Sequence, residues 1–149
     1  MELMEYLSKD LILPELKSTT KQEVLKELVK PLEGKFPKLN TKNAYKVLLE
    51  REQLGSTGIG DGVAIPHGKL RELNKIVVVV GRSFLGVDFD ALDKKPCHIF
   101  FLVLAPENVA GLHLRILAHI SRILKDPEFR QAFMEAEGVD GIWNLLGAE

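Results

Sequence analysis

Apolar residues follow a helical spacing in the first third of the chain. Thr20 and Glu23 have the spacing of a capping box, and the apolar residues after them predict a helix that runs through Leu32 and ends near Gly34. A second helix is predicted over 41–53, with Asn40 or Thr41 as its cap. Before both helices, residues 11–13 read as a short extended piece that Pro14 closes.

The middle of the chain has a different pattern, with apolar runs that are rich in β-branched residues. We predict a brief strand over 63–65 and longer strands over 76–81 and 97–105. The two longer runs are apolar without alternation, which is typical of central strands covered on both faces.

Helical spacing returns in the last quarter of the chain. It predicts a helix over 112–124, a short helix that starts at Asp126-Pro127, and a terminal helix over 140–146 stopped by Gly147. Central strands between helical segments at both ends of the chain predict a sheet covered on two faces, which is an α/β fold.

Length and composition restrict the class of protein. We expect 149 residues to form a single domain, 1–149. The 20 basic and 21 acidic residues give a net charge of −1, which argues against a nucleic-acid-binding domain. We expect no signal peptide in Met1–Tyr6 and no membrane helix, because the apolar runs are far shorter than the roughly 20 residues that a span needs. A single cysteine, Cys97, suits a reducing cytoplasm and is expected to be a buried apolar side chain.

A glycine-rich stretch precedes the strand predicted over 63–65. Four glycines fall within residues 55–62, which we expect to be a loop with accessible backbone N–H groups. The spacing fits neither a nucleotide P-loop nor a dinucleotide fingerprint, since Lys69 is followed by leucine and Val63 stands where the last glycine would be needed. From the pattern alone, a plain structural turn is an equal alternative.

Four histidines are candidates for chemistry. His67 follows Pro66 at the end of the short strand, where it is either a nucleophilic imidazole or a turn residue. His113 lies in the first turn of the helix over 112–124, where a neutral imidazole can donate to an anion, although a buried core histidine fits equally. For His119 we expect a solvated helix face, and for His98 an ordinary strand residue.

Residues 51–68, Arg-Glu-Gln-Leu-Gly-Ser-Thr-Gly-Ile-Gly-Asp-Gly-Val-Ala-Ile-Pro-His-Gly, resemble the active-site motif of the phosphotransferase-system IIA domains of the fructose/mannitol type. The similarity is greatest to the nitrogen-regulatory branch, and it continues through residues 89–93, 100–106 and 112–114. The resemblance implies a mixed sheet sandwiched between helices. Asp61 departs from the asparagine that nitrogen-branch relatives often have in the loop.

The resemblance also implies roles. His67 corresponds to the histidine that accepts a phosphoryl group from HPr or its paralogue, His113 to an assisting histidine, and Arg51 to an arginine that balances the phosphate charge. Together with the loop N–H groups, these residues would stabilise the transferred group. No cofactor is expected, because no nucleotide or metal motif is present.

Three interpretations follow. The chain is a regulator whose phosphorylation state controls partner proteins, or a component of a sugar transporter that passes phosphate to a separate IIB protein. A metallohydrolase built on His67 and His113 is a third possibility, but no cluster with metal-ligand spacing accompanies them.

Overall fold

The structure is a computed structural model, and it describes residues 3–109 and 111–149. Met1 and Glu2, which belong to the segment for which we expect no signal peptide, lie outside the described residues. Within those two ranges the chain forms six strands and six α-helices. The strands are β1 (Ile12–Leu13), β2 (Gly58–Gly60), β3 (Val63–Ala64), β4 (His67–Lys69), β5 (Val77–Val87) and β6 (Cys97–Ala105). The helices are α1 (Lys21–Val29), α2 (Leu32–Lys35), α3 (Thr41–Gln53), α4 (Leu112–Leu124), α5 (Pro127–Glu135) and α6 (Gly138–Gly147).

All six strands belong to one mixed sheet, whose centre is the antiparallel pair β5–β6. The strand order is β1-β5-β6-β3-β2, and β4 continues along β6 beyond β3. Strands β1, β3 and β4 pair in parallel with their neighbours in the centre, whereas β2 and β3 form an antiparallel hairpin. This arrangement confirms the predicted α/β fold with a mixed sheet between helices.

The two faces of the sheet bury two separate apolar cores. Along β5, Val77 and Val79 pack into a core with residues of α1 and α3, while Val78 and Val80 pack into a core with residues of α4, α5 and α6. Successive side chains of a strand point to opposite faces, so an unbroken apolar run is what a doubly covered strand requires. The predicted central strands are therefore confirmed.

Local signals placed several helix ends correctly. The side chain of Thr20 accepts a hydrogen bond from the N–H of Glu23 at the start of α1, and the side chain of Asn40 caps α3. Asp126 caps α5 with Pro127 in its first turn, and α4 has the predicted bounds. One helix prediction was wrong: the helix expected to run through Leu32 is divided into α1 and α2. Pro31 has no N–H to continue the helical ladder, and its ring clashes with the preceding turn.

The prediction of a loop over 55–62 was also wrong, since β2 occupies part of it. Asp61 and Gly62, with φ of 57° and 76°, form the two-residue turn that reverses the chain into β3. Both central residues of such a hairpin need positive φ, which glycine and aspartate tolerate. Strand β5 continues to Val87 rather than ending at residue 81, and α6 begins two residues before the predicted start. Among the described helices, none is long and apolar enough to cross a membrane.

Candidate functional site

A cleft of about 560 Å³ lies between α3, the β4–β6 pair and the first half of α4. His67 on β4, His113 on α4 and Arg51 on α3 all line this cleft, so three residues far apart in the sequence share one site. The other residues that line the cleft are largely apolar and include Val47 and Val103. The ligand-binding and active sites of proteins usually lie in clefts of this type.

His67 is held by the sheet and by its own backbone. It is the first residue of β4 and pairs with Val103 of β6, which fixes its Cα position. Its Nδ1–H donates a hydrogen bond to the carbonyl oxygen of Ile65 at 2.9 Å. A carbonyl can only accept, so Nδ1 carries the proton, and in the neutral ring the lone pair is on Nε2. Nε2 is therefore the nucleophilic nitrogen of this imidazole.

The Ile65 carbonyl is available because of where the neighbouring strands end. Strands β3 and β4 pair with β6 in the same register, and Pro66 between them still accepts from the N–H of Val103. The N–H and C=O of a strand residue point to one edge and those of the next residue to the other, so Ile65 faces the β2 side, where its N–H donates to the carbonyl of Thr57. Pairing between β2 and β3 ends at Ala64. The Ile65 carbonyl thus lies just past the hairpin, where it accepts the hydrogen bond from the His67 imidazole.

His113 lies in the first turn of α4. The helix begins after Gly111, whose φ of 84° requires a glycine-like conformation. Nδ1 of His113 is buried and has no hydrogen-bond partner among the residues that the structure describes. Burial, together with the nearby Lys69 and His67, lowers the pKa of His113 below its ordinary value. The ring is consequently neutral at physiological pH and retains an unused polar atom beside the cleft.

Arg51 is in the last turn of α3, and its Nη1–H donates to the carbonyl oxygen of Gly55 at 2.9 Å. This bond uses one of the five N–H donors of the guanidinium, and the other four have no acceptor among the residues that the structure describes, so they can meet an anion. Because the bond closes the turn at the end of its own helix, it also holds the side chain near the cleft.

The expected cradle of loop N–H groups is not formed, which corrects the sequence interpretation. The N–H groups of Gly55, Thr57, Gly58 and Asp61 donate to acceptors within the protein: the carbonyl of Glu52, its carboxylate, the Ser56 hydroxyl and the Asp93 carboxylate. Residues 55–62 do not line the cleft. The stretch builds a hairpin that supports the site from the side.

Two charged residues that line the cleft were not predicted from the sequence. Lys69 lies two positions after His67 on β4, and residues two apart on a strand share a face. The spacing therefore already indicated that Lys69 lies on the same face of the strand as His67. Glu50 on α3 also lines the cleft, one residue before Arg51, where nothing in the local pattern distinguishes it from a surface glutamate.

The other chemistry-bearing residues lie elsewhere. His98 Nδ1–H donates to the Ser83 carbonyl at 2.8 Å, as expected of an ordinary strand residue. Cys97 is fully buried, as predicted, and burial raises the pKa of its thiol to about 12. His119 is half-buried rather than solvated and does not line the cleft. No group of three or more His, Cys, Asp or Glu arranged to hold a metal ion occurs within residues 3–109 and 111–149.

Comparison with known proteins gives this site a context. The sequence profile described as "Phosphoenolpyruvate-dependent sugar phosphotransferase system, EIIA 2" matches residues 5–148. The chain belongs to this EIIA family. The resemblance stated from residues 51–68 is thereby confirmed.

Relatives of this EIIA chain fall into two groups. It is 36% identical to a nitrogen regulatory protein of Bradyrhizobium diazoefficiens, over 98% of this chain and 95% of the relative. It is 39% identical to the fructose-specific EIIABC component of Bacillus subtilis, over 98% of this chain but only 23% of that longer protein. Among solved structures, the nitrogen regulatory protein IIA-Ntr of Neisseria meningitidis superposes with a TM-score of 0.89 at 31% identity, covering 95% of this chain and 97% of the other.

Proposed function

We propose that residues 1–149 act as a single phosphoryl-carrier domain, in which Nε2 of His67 accepts a phosphoryl group from the phosphohistidine of an HPr-type protein. The observation that carries this proposal is the hydrogen bond from Nδ1–H of His67 to the Ile65 carbonyl. It leaves the lone pair on Nε2 of an imidazole beside a cleft that also holds a neutral histidine and an arginine.

The reaction needs positioning and charge stabilisation more than covalent assistance. Nε2 of His67 attacks phosphorus in line while the P–N bond to the donor histidine breaks; the donor ring, whose other nitrogen carries a proton, keeps the electron pair of that bond and leaves as neutral imidazole. Arg51 and Lys69 offset the negative charge on the equatorial oxygens. His113 donates a hydrogen bond to one of them, and because its pKa is lowered it does so as a neutral ring.

The Ile65 carbonyl has a second effect on the product. Phosphorylated His67 carries a proton on Nδ1, and the carbonyl dipole stabilises the positive charge that develops on the ring during attack. The same hydrogen bond therefore orients the ring before transfer and stabilises it afterwards.

For the fate of the phosphoryl group we favour regulation, in which the phosphorylation state of His67 controls a partner protein in the cytoplasm. The supporting observation is the match over 95% of a freestanding nitrogen regulatory protein. Onward transfer to a IIB protein is the alternative, and the EIIABC relative supports it. Incubation of the phosphorylated chain with a IIB protein separates them, since transfer to the IIB cysteine is expected only of a transporter component.

The acceptor is tested by incubating the protein with an HPr-type protein phosphorylated on its histidine. We expect one phosphate per chain, stable in alkali and labile in acid, with the signature of an Nε2 phosphohistidine in ³¹P and ¹⁵N NMR spectra. His67→Ala should abolish labelling, whereas His119→Ala, on α4 but outside the cleft, should label as wild type. Labelling that persists in His67→Ala would disprove the assignment, and an Nδ1-linked phosphate would disprove the role of the Ile65 carbonyl.

A further inference from the structure

A buried ion pair lies behind the candidate site. Nζ of Lys21, the first residue of α1, is 3.1 Å from Oε1 of Glu52 on α3, and their side chains are only 10% and 3% exposed. In every other ion pair within the described ranges, at least one partner is more than half exposed. Burying two charges costs more desolvation than a surface pair does, and the attraction often only balances it. The pair is therefore better explained by what it positions than by net stability.

The Glu52 carboxylate holds Thr57 at the start of the hairpin. Oε1 accepts the backbone N–H of Thr57 at 3.0 Å, and Oε2 accepts the Thr57 hydroxyl. Thr57 is itself 4% exposed, so these bonds are largely shielded from water. Glu52 thus has charge-assisted partners on both oxygens, and we call Lys21, Glu52 and Thr57 the buried network.

The buried network connects to His67 through one residue, Ile65. The carbonyl of Thr57 accepts the N–H of Ile65 at 3.0 Å, and the carbonyl of Ile65 accepts Nδ1–H of His67 at 2.9 Å. The bond from Ile65 to Thr57 lies one residue past the Gly58–Ala64 pair, which is the last pair between β2 and β3. A shift of Thr57 would accordingly displace Ile65 and move the carbonyl that sets the His67 tautomer.

We propose that the buried network positions the Ile65 carbonyl and thereby fixes the Nδ1–H tautomer of His67. Its members are positioning residues, since none of them lines the cleft. The inference rests on the proposed function for its kinetic consequence, but its structural consequence can be measured in the unphosphorylated protein.

Thr57→Val tests the inference because it keeps the side-chain shape and removes the hydroxyl. We expect ¹⁵N NMR of the His67 ring to show a smaller share of the Nδ1–H tautomer. The single-turnover rate of transfer from a phosphorylated HPr-type protein should fall roughly five- to tenfold, which is less than the full effect of losing a hydrogen bond to a charged group, because the lost bond acts on His67 only through Thr57 and Ile65. The donor concentration at half-maximal rate should stay unchanged, and Thr57→Ser, which restores the hydroxyl, should recover both readouts.

Thr41→Val is the matched control. The Thr41 hydroxyl also donates to a glutamate, Glu33, at 3.1 Å, but on an exposed surface away from the cleft. It should leave tautomer and rate at their wild-type values. Lys21→Met is the second variant, since it removes the ammonium group and leaves Thr57 intact, and it should shift both readouts in the direction of Thr57→Val.

The outcomes separate the two proposals. A wild-type tautomer and rate in whichever of Thr57→Val and Lys21→Met remains folded would overturn the inference. If the wild-type protein accepts no phosphate, the proposed function fails, while the tautomer measurement still decides whether the buried network positions His67.

Discussion

Gly68, between His67 and Lys69 on β4, offers a sharp test of how the site is packed. Its φ lies outside the left-handed region, so alanine meets no backbone obstacle there. A Cβ at this position would nevertheless lie 2.7 Å from Cγ1 of Val47 on α3, where ordinary contact begins near 3.4 Å. Valine in a helix has one strongly preferred rotamer, so Val47 cannot easily turn away. Gly68→Ala must therefore separate β4 from α3.

The expected cost can be worked from this contact. Overpacking by one methyl group in a well-packed region costs about 1–3 kcal/mol. Val47 is partly buried against the core, so Val47→Ala alone should cost about 1 kcal/mol through lost apolar burial. In the double variant the clash partner is gone. The destabilisation of the double variant should therefore be about 1–2 kcal/mol smaller than the sum of the two single destabilisations, as expected of residues in direct contact.

Urea denaturation of the wild type, both single variants and the double variant measures this coupling. The same four proteins should show a coupled effect on phosphoryl transfer, because β4 carries His67 and α3 carries Arg51. Gly34→Ala is the control: its Cβ would meet nothing within 4 Å, and it should be neutral or slightly stabilising. Additive stabilities of Gly68→Ala and Val47→Ala would refute the argument.

Three further predictions concern the cleft and the core. Arg51→Ala should reduce the transfer rate by roughly ten- to a hundredfold through loss of charge-assisted hydrogen bonds, and it should change the free energy of unfolding by less than about 0.5 kcal/mol. Substitution of an exposed arginine, Arg122→Ala, should change neither quantity. A wild-type transfer rate in Arg51→Ala would show that Arg51 is not part of the site. His113→Ala should still accept phosphate on His67 but more slowly. Because the pKa of His113 is lowered in the folded state, the unfolded chain binds the proton more tightly. The stability of the wild type should therefore fall as the pH drops below about 6.5. Thermal unfolding of His113→Ala should lack this part of the pH dependence. With its pKa raised to about 12, Cys97 should resist thiol reagents until the protein unfolds; stability should decline above about pH 8.5, where the unfolded thiol ionises, and less so in Cys97→Ala.

The parts of the fold that the sequence predicted are those with local causes. The bounds of α4 follow from the spacing of its apolar residues, and the starts of α1, α3 and α5 follow from Thr20, Asn40 and Asp126, whose side chains cap them. The apolar run of β6 gave its strand the correct length. Each of these signals acts within a few residues, so no tertiary information is needed to find it.

The parts that were missed depend on distant partners. Strand β5 continues past Gly81, where Arg82, although buried, donates to the carbonyl oxygens of Pro14, Phe133 and Ala136, which belong to two segments distant in the sequence. Strand β2 contains two glycines in three residues and has no apolar alternation. It forms because β3 offers it an edge, and pairing of that kind cannot be seen in a local pattern.

The candidate site shows the same division. From the residues alone, His67 was favoured as a reactive residue over a turn histidine, His113 fitted a core histidine equally well, and the resemblance to the EIIA family brought both together with Arg51. The structure places all three on one cleft. What the sequence could not show is the acceptor for Nδ1 of His67, because that acceptor is a backbone carbonyl, and every residue has one.

The backbone origin of that acceptor makes the nucleophile tolerant of sequence change. Any amino acid at position 65 supplies the same carbonyl, so side-chain substitution there alters packing in the core around Ile65 but leaves the proton on Nδ1. A change in chain length is different. Deleting one residue between Val63 and His67 would exchange the edges that successive residues face, and the carbonyl two positions before the histidine would then point to β6. Drift among homologous sequences can therefore replace Ile65 without loss of the acceptor, whereas insertions and deletions in this segment would abolish the reactive tautomer.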